Sequence, residues 1–492
     1  MPGADSTEVA IHPAYSYSDG RTPVNMQGRT DDCAELRAGT PIDFIRFPGD
    51  FRMTDRRPNI LYVHSHDTGR YMEPYGFPVA MPAYRHLAET GMLFRRAFSA
   101  APTCSPSRSA LLTGMSPHNS GMMGLAHRGF DLFDPSQHLA SFLSSNGYLT
   151  VLAGHQHLTH RDPRELGYET VFESGKSFAD HVAPTAASFL QDQRMGSDTP
   201  FFLDVGFDEA HRPFHDAGEN SAKYVSVLPG LPDSAEIRTD VARFHASLEE
   251  LDRGVGIVMD ALESSGHAGD TIVIVTTDHG PSFPGMKSTL TDAGTGVGLI
   301  LRFPGMTTPG LISDALVSQI DLFPTICELA NLEPPAWLQG ASVLPLLDGR
   351  ASWVRDEIFA EVTFHAAYEP QRAVRTDRWI CIRRFGGRDH PVLPNIDASP
   401  ALDFALANGF GDRVMPAVSL FDNVLDPLQR ENLAGSPPHQ SVEEELLRRL
   451  NDWMIATNDP LLDGPVPLPQ GARVNRASDQ SPDDPLVEID FI

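Results

Sequence analysis

"RPNILYVHSHD" (57–67) decides how the chain is to be read. Its apolar run at 59–63 has the length of a strand and stops abruptly at His64, Ser65, His66 and Asp67. Four more apolar runs follow: YLTVLA (148–153), FFLDVGF (201–207), TIVIVTT (271–277) and VGLILRF (297–303). Between them lie helical patterns such as SQHLASFLSSNG and RFHASLEELDRGVGIVMDALESSG. Strands alternating with helices predict an α/β architecture, a large and mostly parallel central sheet covered by helices on both faces.

Composition bounds the rest. A chain of 492 residues, 41% hydrophobic, can bury one large core and a smaller one. No apolar run is long enough for a membrane span, and the first residues lack both a basic start and an apolar stretch, so a cytoplasmic protein is expected. A formal charge of −27, from 65 acidic against 38 basic residues, disfavours nucleic acid and acidic membranes as partners. The cysteines at 33, 104, 327 and 381 are scattered, which argues against a disulfide framework and a structural zinc site. The expected organisation is an N-terminal arm (1–56), a catalytic α/β domain (57–350), a smaller α+β domain (351–460) with a helix at 442–457, and a C-terminal tail (461–492).

In open α/β sheets ligands bind beyond the carboxyl ends of the strands. Four of the apolar runs deliver polar chemistry there: His66 and Asp67; His155 and His157; Asp208, Glu209 and His211; Asp278 and His279. A carboxylate after a strand often serves only as a cap or turn former. Four such ends together point to one site. Asp67 and Asp278, beside His66 or His279, are donors that a divalent cation recruits. Arg108, His155, His157, His211 and Lys287 supply positive charge and protons for an anion. In "PTCSPSRSALLTG" (102–114) the proline suits the first turn of a helix and sets Cys104 at its N-terminus, where the dipole favours an anion and would lower a thiol pKa. A thiolate nucleophile is the first reading, although no general base for an acyl-transfer triad lies nearby in sequence.

"CSPSR" followed by "LLTG" resembles the signature of the type I sulfatases, in which the cysteine is oxidised to formylglycine. The likeness runs from about 57 to 460 and takes in the "DHG" after a strand, "FPGMK", "LQGASVLPLL" and "SLFDNVLDPLQRENLAG". "FSAAPTCSPSRSALLTGMSPHNSGMMGL", "VGFDEAHRPF" and "EVTFHAAYEPQRAVRTDR" resemble the heparan N-sulfatase (sulfamidase) branch. The resemblance implies an alkaline phosphatase-like fold and hydrolysis of a sulfate ester or sulfamate of a small, carbohydrate-like substrate. It implies metal ligands at Asp67, Asp278 and His279 with His66 and residue 104 beside them, a nucleophile precursor at Cys104, and a diol-steadying role for Arg108. His157 and His211 match sulfate or leaving-group contacts, and Lys287 a sulfate clamp. His155, His365 and Arg372 are further candidates for substrate binding, the last two at its entrance.

Two departures stand out. His66 takes the place of an aspartate, so calcium, the metal the family implies, competes with manganese, magnesium and zinc. His155 takes the place of a lysine, which predicts a positive charge titrating near neutrality. A formylglycine-generating enzyme is implied as a maturation partner, and a homo-oligomer is compatible. The alternatives are a phosphonate or phosphodiester hydrolase of the same superfamily and a non-catalytic anion-binding relative. "GTGVG" (294–298) precedes its strand and does not read as a nucleotide loop. His118, His127 and His138 read as loop or core histidines.

Overall fold

Strand β1 (Asn59–Ser65) is buried along its whole length, as the near-continuous apolar run requires of a strand covered on both faces. The computed structural model describes residues 57–489 apart from 173–176, 193–198, 219–220 and 307; the expected arm at 1–56 lies outside the described residues. The strands that follow are β2 (Met92–Phe94), β3 (Ala97–Phe98), β4 (Leu149–Gly154), β5 (Thr170–Phe172), β6 (Phe201–Gly206), β7 (Thr271–Thr277), β8 (Leu299–Arg302), β9 (Leu311–Ser313) and β10 (Val317–Ser318). Eight of them form the central sheet in the order β5-β4-β6-β1-β7-β8-β2-β9. All neighbours run parallel except β8, which is antiparallel to both β7 and β2.

Alternation along the strands sorts the core into two layers. Ile60, Tyr62, Leu152, Phe202, Ile272 and Ile274 face one side, against Leu111, Leu143 and Phe323 of the helices Cys104–Thr113, Leu139–Ser145 and Leu322–Leu329. Leu61, Val63, Val151, Leu203, Val205, Val273 and Val275 face the other, against the helices Ala179–Gln191 and Ala235–Ser264. The mostly parallel, doubly covered sheet is therefore present.

A second, antiparallel sheet follows: β11 (Glu357–Phe364), β12 (Tyr368–Thr376), β13 (Trp379–Arg384) and β14 (Val418–Asp422). The helix Gln440–Ala456 covers it with Leu446, Leu450 and Met454. The first core layer continues without a break into Phe364, Val374, Cys381 and Leu420, so the two sheets share apolar contacts. The last described segment returns onto the body, where Arg128 Nη1 donates to Asn475 Oδ1 at 2.8 Å. Among the described residues no helix is long and apolar enough to cross a membrane.

His138 shows how burial sets a pH limit on this fold. It caps the helix Leu139–Ser145, its Nδ1 accepting the Ala140 N–H at 3.1 Å, and burial pulls its pKa down to about 4. A histidine held neutral in the fold stabilises it fully above the unfolded pKa near 6.5 and loses that contribution as pH falls towards 4. Wild-type protein is expected to lose about 2 kcal/mol more stability than His138→Asn between pH 7.5 and 5. Urea midpoints at the two pH values check this.

Candidate active site

Register brings the strand ends to one level. Val63 pairs with Val205 and Ser65 with Thr277, while Gly154 pairs with Gly206, so β4, β6, β1 and β7 finish along one edge. Glycine is required at 206, because a Cβ there would lie 2.0 Å from the His155 carbonyl oxygen and 2.6 Å from the His64 ring. Beyond the edge, His66 N–H donates to Glu209 O at 2.9 Å and Asp67 N–H to Asp278 Oδ1 at 2.9 Å. Asp67 has a φ of 51°, a left-handed conformation that short polar residues tolerate better than most. The loops after β1, β6 and β7 are thus stitched together.

Cys104 enters from the helix Cys104–Thr113, all of whose residues are buried. It is the first helical residue, and Pro106 falls in the first turn as its fixed φ allows. Ser107 Oγ donates to the Asp278 carbonyl, fastening the helix to the end of β7. Arg108, one turn on, donates from Nη2 to Asp278 Oδ2 at 3.0 Å.

Ligand atoms from His66, Asp67, Cys104, Asp278 and His279 all lie within 4.8 Å of one another. His279 Nε2 is 3.3 Å from Cys104 Sγ, 3.3 Å from Asp67 Oδ1 and 3.6 Å from Asp278 Oδ2. His66 Nε2 is 3.5 Å from Asp67 Oδ1 and 3.6 Å from Asp278 Oδ2. Both ring nitrogens of His66 and Oδ1 of Asp67 are buried without a hydrogen-bond partner. An unpartnered His66 Nε2 and Asp67 Oδ1 beside a second buried carboxylate fit a divalent cation, which would engage both.

Burial corrects the thiolate reading. It pushes the Cys104 thiol well above its ordinary value; Lys287 pulls the other way, and Asp67 and Asp278 add to the rise. With its pKa raised in this way, Cys104 as a plain cysteine is a neutral thiol. It has none of the depressed pKa that marks thiolate nucleophiles.

Residues 58–332 match the sulfatase family. The chain belongs to the sulfatase family. Residues 287–401 also match the N-sulphoglucosamine sulphohydrolase C-terminal family. The sulfatase is 27% identical to human N-sulphoglucosamine sulphohydrolase over 469 residues, covering 83% of this chain and 92% of that one. It is 28% identical to an ulvan-active sulfatase of Formosa agariphila over 446 residues, covering 87% and 86%. Among solved structures, a 2-O GAG sulfatase superposes with a TM-score of 0.64 at 21% identity, covering 83% and 94%. A protein solved with its substrate D-glucosamine-2-N,6-O-disulfate superposes at 0.66 and 18% identity, covering 83% and 99%. The alkaline phosphatase-like fold follows, and with the family the activity class: a sulfuric ester or sulfamate hydrolase of the sulfamidase-like branch.

The remaining candidate residues of the sulfatase divide into two groups. Lys287 Nζ donates to Asp67 Oδ2 at 2.8 Å and lies 3.2 Å from Asp397 Oδ2. Burial works against its charge, yet Asp397 and Asp67 outweigh it and raise its pKa well above normal. His211 Nε2 is 3.9 Å from Asp67 Oδ2, its ring 4.4 Å from that of His66, and it is partly open to solvent. His155 and His157 pack beside His66, with ring centres 5.1 and 5.6 Å away. Burial, then Arg108 and His157, hold His155 well below the usual histidine range, so it carries no charge near neutrality and the expectation of a titrating cation there is corrected. His365 is buried, with Nδ1 unpartnered and Lys287 and Asp397 acting on it.

Arg372 is not at the entrance. It is fully buried in β12, where Nε and Nη2 meet Asp459 and Nη1 meets Val362 O and Thr363 Oγ1. Its charge answers Asp459 and Glu361, a structural duty.

Sequence reasoning missed three contributors. His64 Nε2 meets Asp204 Oδ1 at 2.9 Å, Asp204 Oδ2 accepts from Tyr168 Oη, and His64 Nδ1 meets Arg108 Nη1, a buried chain that orients the arginine. The signal was available: Asp204 is an acid in the middle of the apolar run FFLDVGF. Asp397, Lys287's second partner, has no such signal. His127, expected to be an ordinary loop or core residue, reaches His157 Nε2 with its Nδ1 at 3.2 Å.

Arg372→Ala leaves two buried carboxylates uncompensated and is expected to cost about 3–5 kcal/mol of stability in urea unfolding. The KM of the folded enzyme should stay at the wild-type value, because the residue does not face the site.

Proposed function

We propose that this sulfatase hydrolyses the sulfate ester or sulfamate of a small carbohydrate, with residue 104 converted to formylglycine and one divalent cation held by His66, Asp67, Asp278, His279 and residue 104. The observation that carries the reading is the convergence of those five groups on a helix N-terminus. The named substrates of the relatives, N-sulphoglucosamine and ulvan, support the carbohydrate. An acidic chain of formal charge −27 favours a terminal or single sugar over a long sulfated polymer.

A cation held by these residues would supply positive charge that lowers the pKa of a hydroxyl on residue 104 and offsets developing anionic charge. Formylglycine at 104 would, as its hydrate, offer a hydroxyl as nucleophile towards sulfur and a second hydroxyl, which a cysteine or serine lacks, for release of sulfate. Nitrogen donors from His66 and His279 shift the preference from calcium towards manganese or zinc.

The chain's own residues do the remaining work. Arg108, oriented by His64 and Asp278, holds positive charge one helical turn from residue 104. Lys287, kept protonated by Asp397 and Asp67, presents a fixed charge to a sulfate oxygen. A leaving alcohol or amine needs a proton as it departs. His211 is the donor, because it is open to solvent for reprotonation, whereas burial and the Arg108 charge keep His157 neutral. His157 and His155 then orient the substrate by hydrogen bonding. Among the described residues Cys104, Cys327 and Cys381 are free buried thiols, which suits a reducing, cytoplasmic setting and modification of Cys104 by a formylglycine-generating enzyme.

Rates on glucosamine N-sulfate, an aryl sulfate and a phosphodiester test the activity, alongside peptide mass spectrometry of 96–108 for loss of the thiol and gain of an aldehyde. Sulfated substrates are expected to dominate, and a preference for the phosphodiester contradicts the reading. Cys104→Ala should lower turnover on the order of 10⁴–10⁶-fold. His211→Ala should cost about 10²–10⁴-fold on the sugar substrate. It should cost far less on an aryl sulfate, whose leaving group departs without a proton.

A further inference from the structure

His127 touches the site through one directed contact. Its Nδ1 lies 3.2 Å from His157 Nε2, the two rings are within 6° of parallel, and their centres are 5.4 Å apart. The centres are farther apart than the nitrogens by about two ring radii, which is the geometry of two imidazoles meeting edge to edge in one plane, with a hydrogen bond in line between them.

The residue is exposed, yet its turn Ala126–Arg128 is anchored on both sides. Ala126 N–H donates to Ser105 Oγ at 3.1 Å, which ties the turn to the residue beside Cys104. Arg128 donates from Nη1 to Ala366 O at 3.2 Å and to Asn475 Oδ1 at 2.8 Å, and its carbonyl accepts the Arg473 N–H at 3.0 Å. The nucleophile-bearing helix, the neighbour of His365 and the C-terminal segment therefore hold His127 against His157.

Counting hydrogens shows what the contact does. A neutral imidazole carries one N–H, and burial with the Arg108 charge keeps His157 neutral. Its Nδ1 is buried and unpartnered, in a ring packed against those of His66 and His155. A sulfate oxygen has no hydrogen to give, so Nδ1 binds one only as an N–H. Nε2 is then bare and must accept, and the group in line with it is His127 Nδ1. Donating there costs His127 nothing, because on an exposed ring the remaining lone pair can be met by water.

We propose that His127 is a positioning residue of the site: by donating from Nδ1 to His157 Nε2 it fixes His157 in the tautomer with hydrogen on Nδ1, the form that donates to a sulfate oxygen of the substrate. No proton is transferred and no charge changes. The anion at Nδ1 rests on the sulfatase reading above; the tautomer does not, and the test separates the two.

Histidine-selective ¹⁵N labelling with two-bond nitrogen–proton correlation at about pH 8, the His157 signals assigned by their loss in His157→Gln, should show hydrogen on Nδ1 and a bare Nε2. Hydrogen on His157 Nε2, or on both nitrogens, overturns the proposal. His127→Leu removes the donor from an exposed position and should lower kcat/KM on glucosamine N-sulfate about tenfold, mostly through KM, with an unchanged melting temperature. His127→Asn, of the same shape, puts an amide N–H where Nδ1 stood and should recover kcat/KM to within about threefold of wild type. Asparagine losing as much as leucine, or leucine matching wild type, contradicts the assigned role. A wild-type chain inert towards sulfated substrates counts against the sulfate reading, and the nitrogen spectrum still decides the tautomer.

Discussion

The constraint on which the structure turns is the burial of Asp67 and Asp278 side by side at the ends of two parallel strands. Like charges held out of water repel strongly and are tolerated only with compensation. Arg108 and Lys287 provide part of it, but Lys287 also answers Asp397. Three carboxylates against two fixed cations leave one negative charge in excess. A divalent cation reverses that to one positive charge, the state in which a sulfate group is welcome. Burial holds the His66 imidazole neutral, as a nitrogen donor beside the two carboxylates, and His279 is fully buried at the same place.

The scaffold serves that constraint by registration. β1 lies between β6 and β7, paired along its length with both, so a shift of one residue would turn each of its side chains to the opposite face of the sheet and displace Asp67 from Asp278. The helix Cys104–Thr113 is then set against the same edge by Ser107 on the Asp278 carbonyl and Arg108 on its carboxylate. One residue, Asp278, therefore anchors a cation ligand, an arginine and a helix. The buried chain from Tyr168 through Asp204 and His64 extends the same anchoring into the middle of the sheet.

Much of this was legible in the sequence because it depends on local pattern. Apolar runs of strand length located β1, β4, β6 and β7 to within a residue or two, and the polar residues after them were the ones that meet. The run at 297–303 is also a strand, but antiparallel to its neighbours, and direction is not written in an apolar run. What could not be read were effects of burial and of distant packing. Cys104 looked like a thiolate at a helix N-terminus, yet burial, with Asp67 and Asp278 beside it, pushes its thiol pKa well up. His155 looked like a replacement cation and is instead neutral. Arg372, in a stretch that suggested substrate contact, meets Asp459 from 87 residues away. Asp397 and His127 reach the site from segments with no distinguishing motif.

The most direct test is anomalous diffraction from crystals of the protein equilibrated with Mn²⁺. The account predicts an anomalous peak at coordination distance from His66, Asp67, Asp278, His279 and residue 104 together. A density map with no such peak, or with Mn²⁺ bound elsewhere while the Asp67 and Asp278 carboxylates remain unliganded, would contradict it.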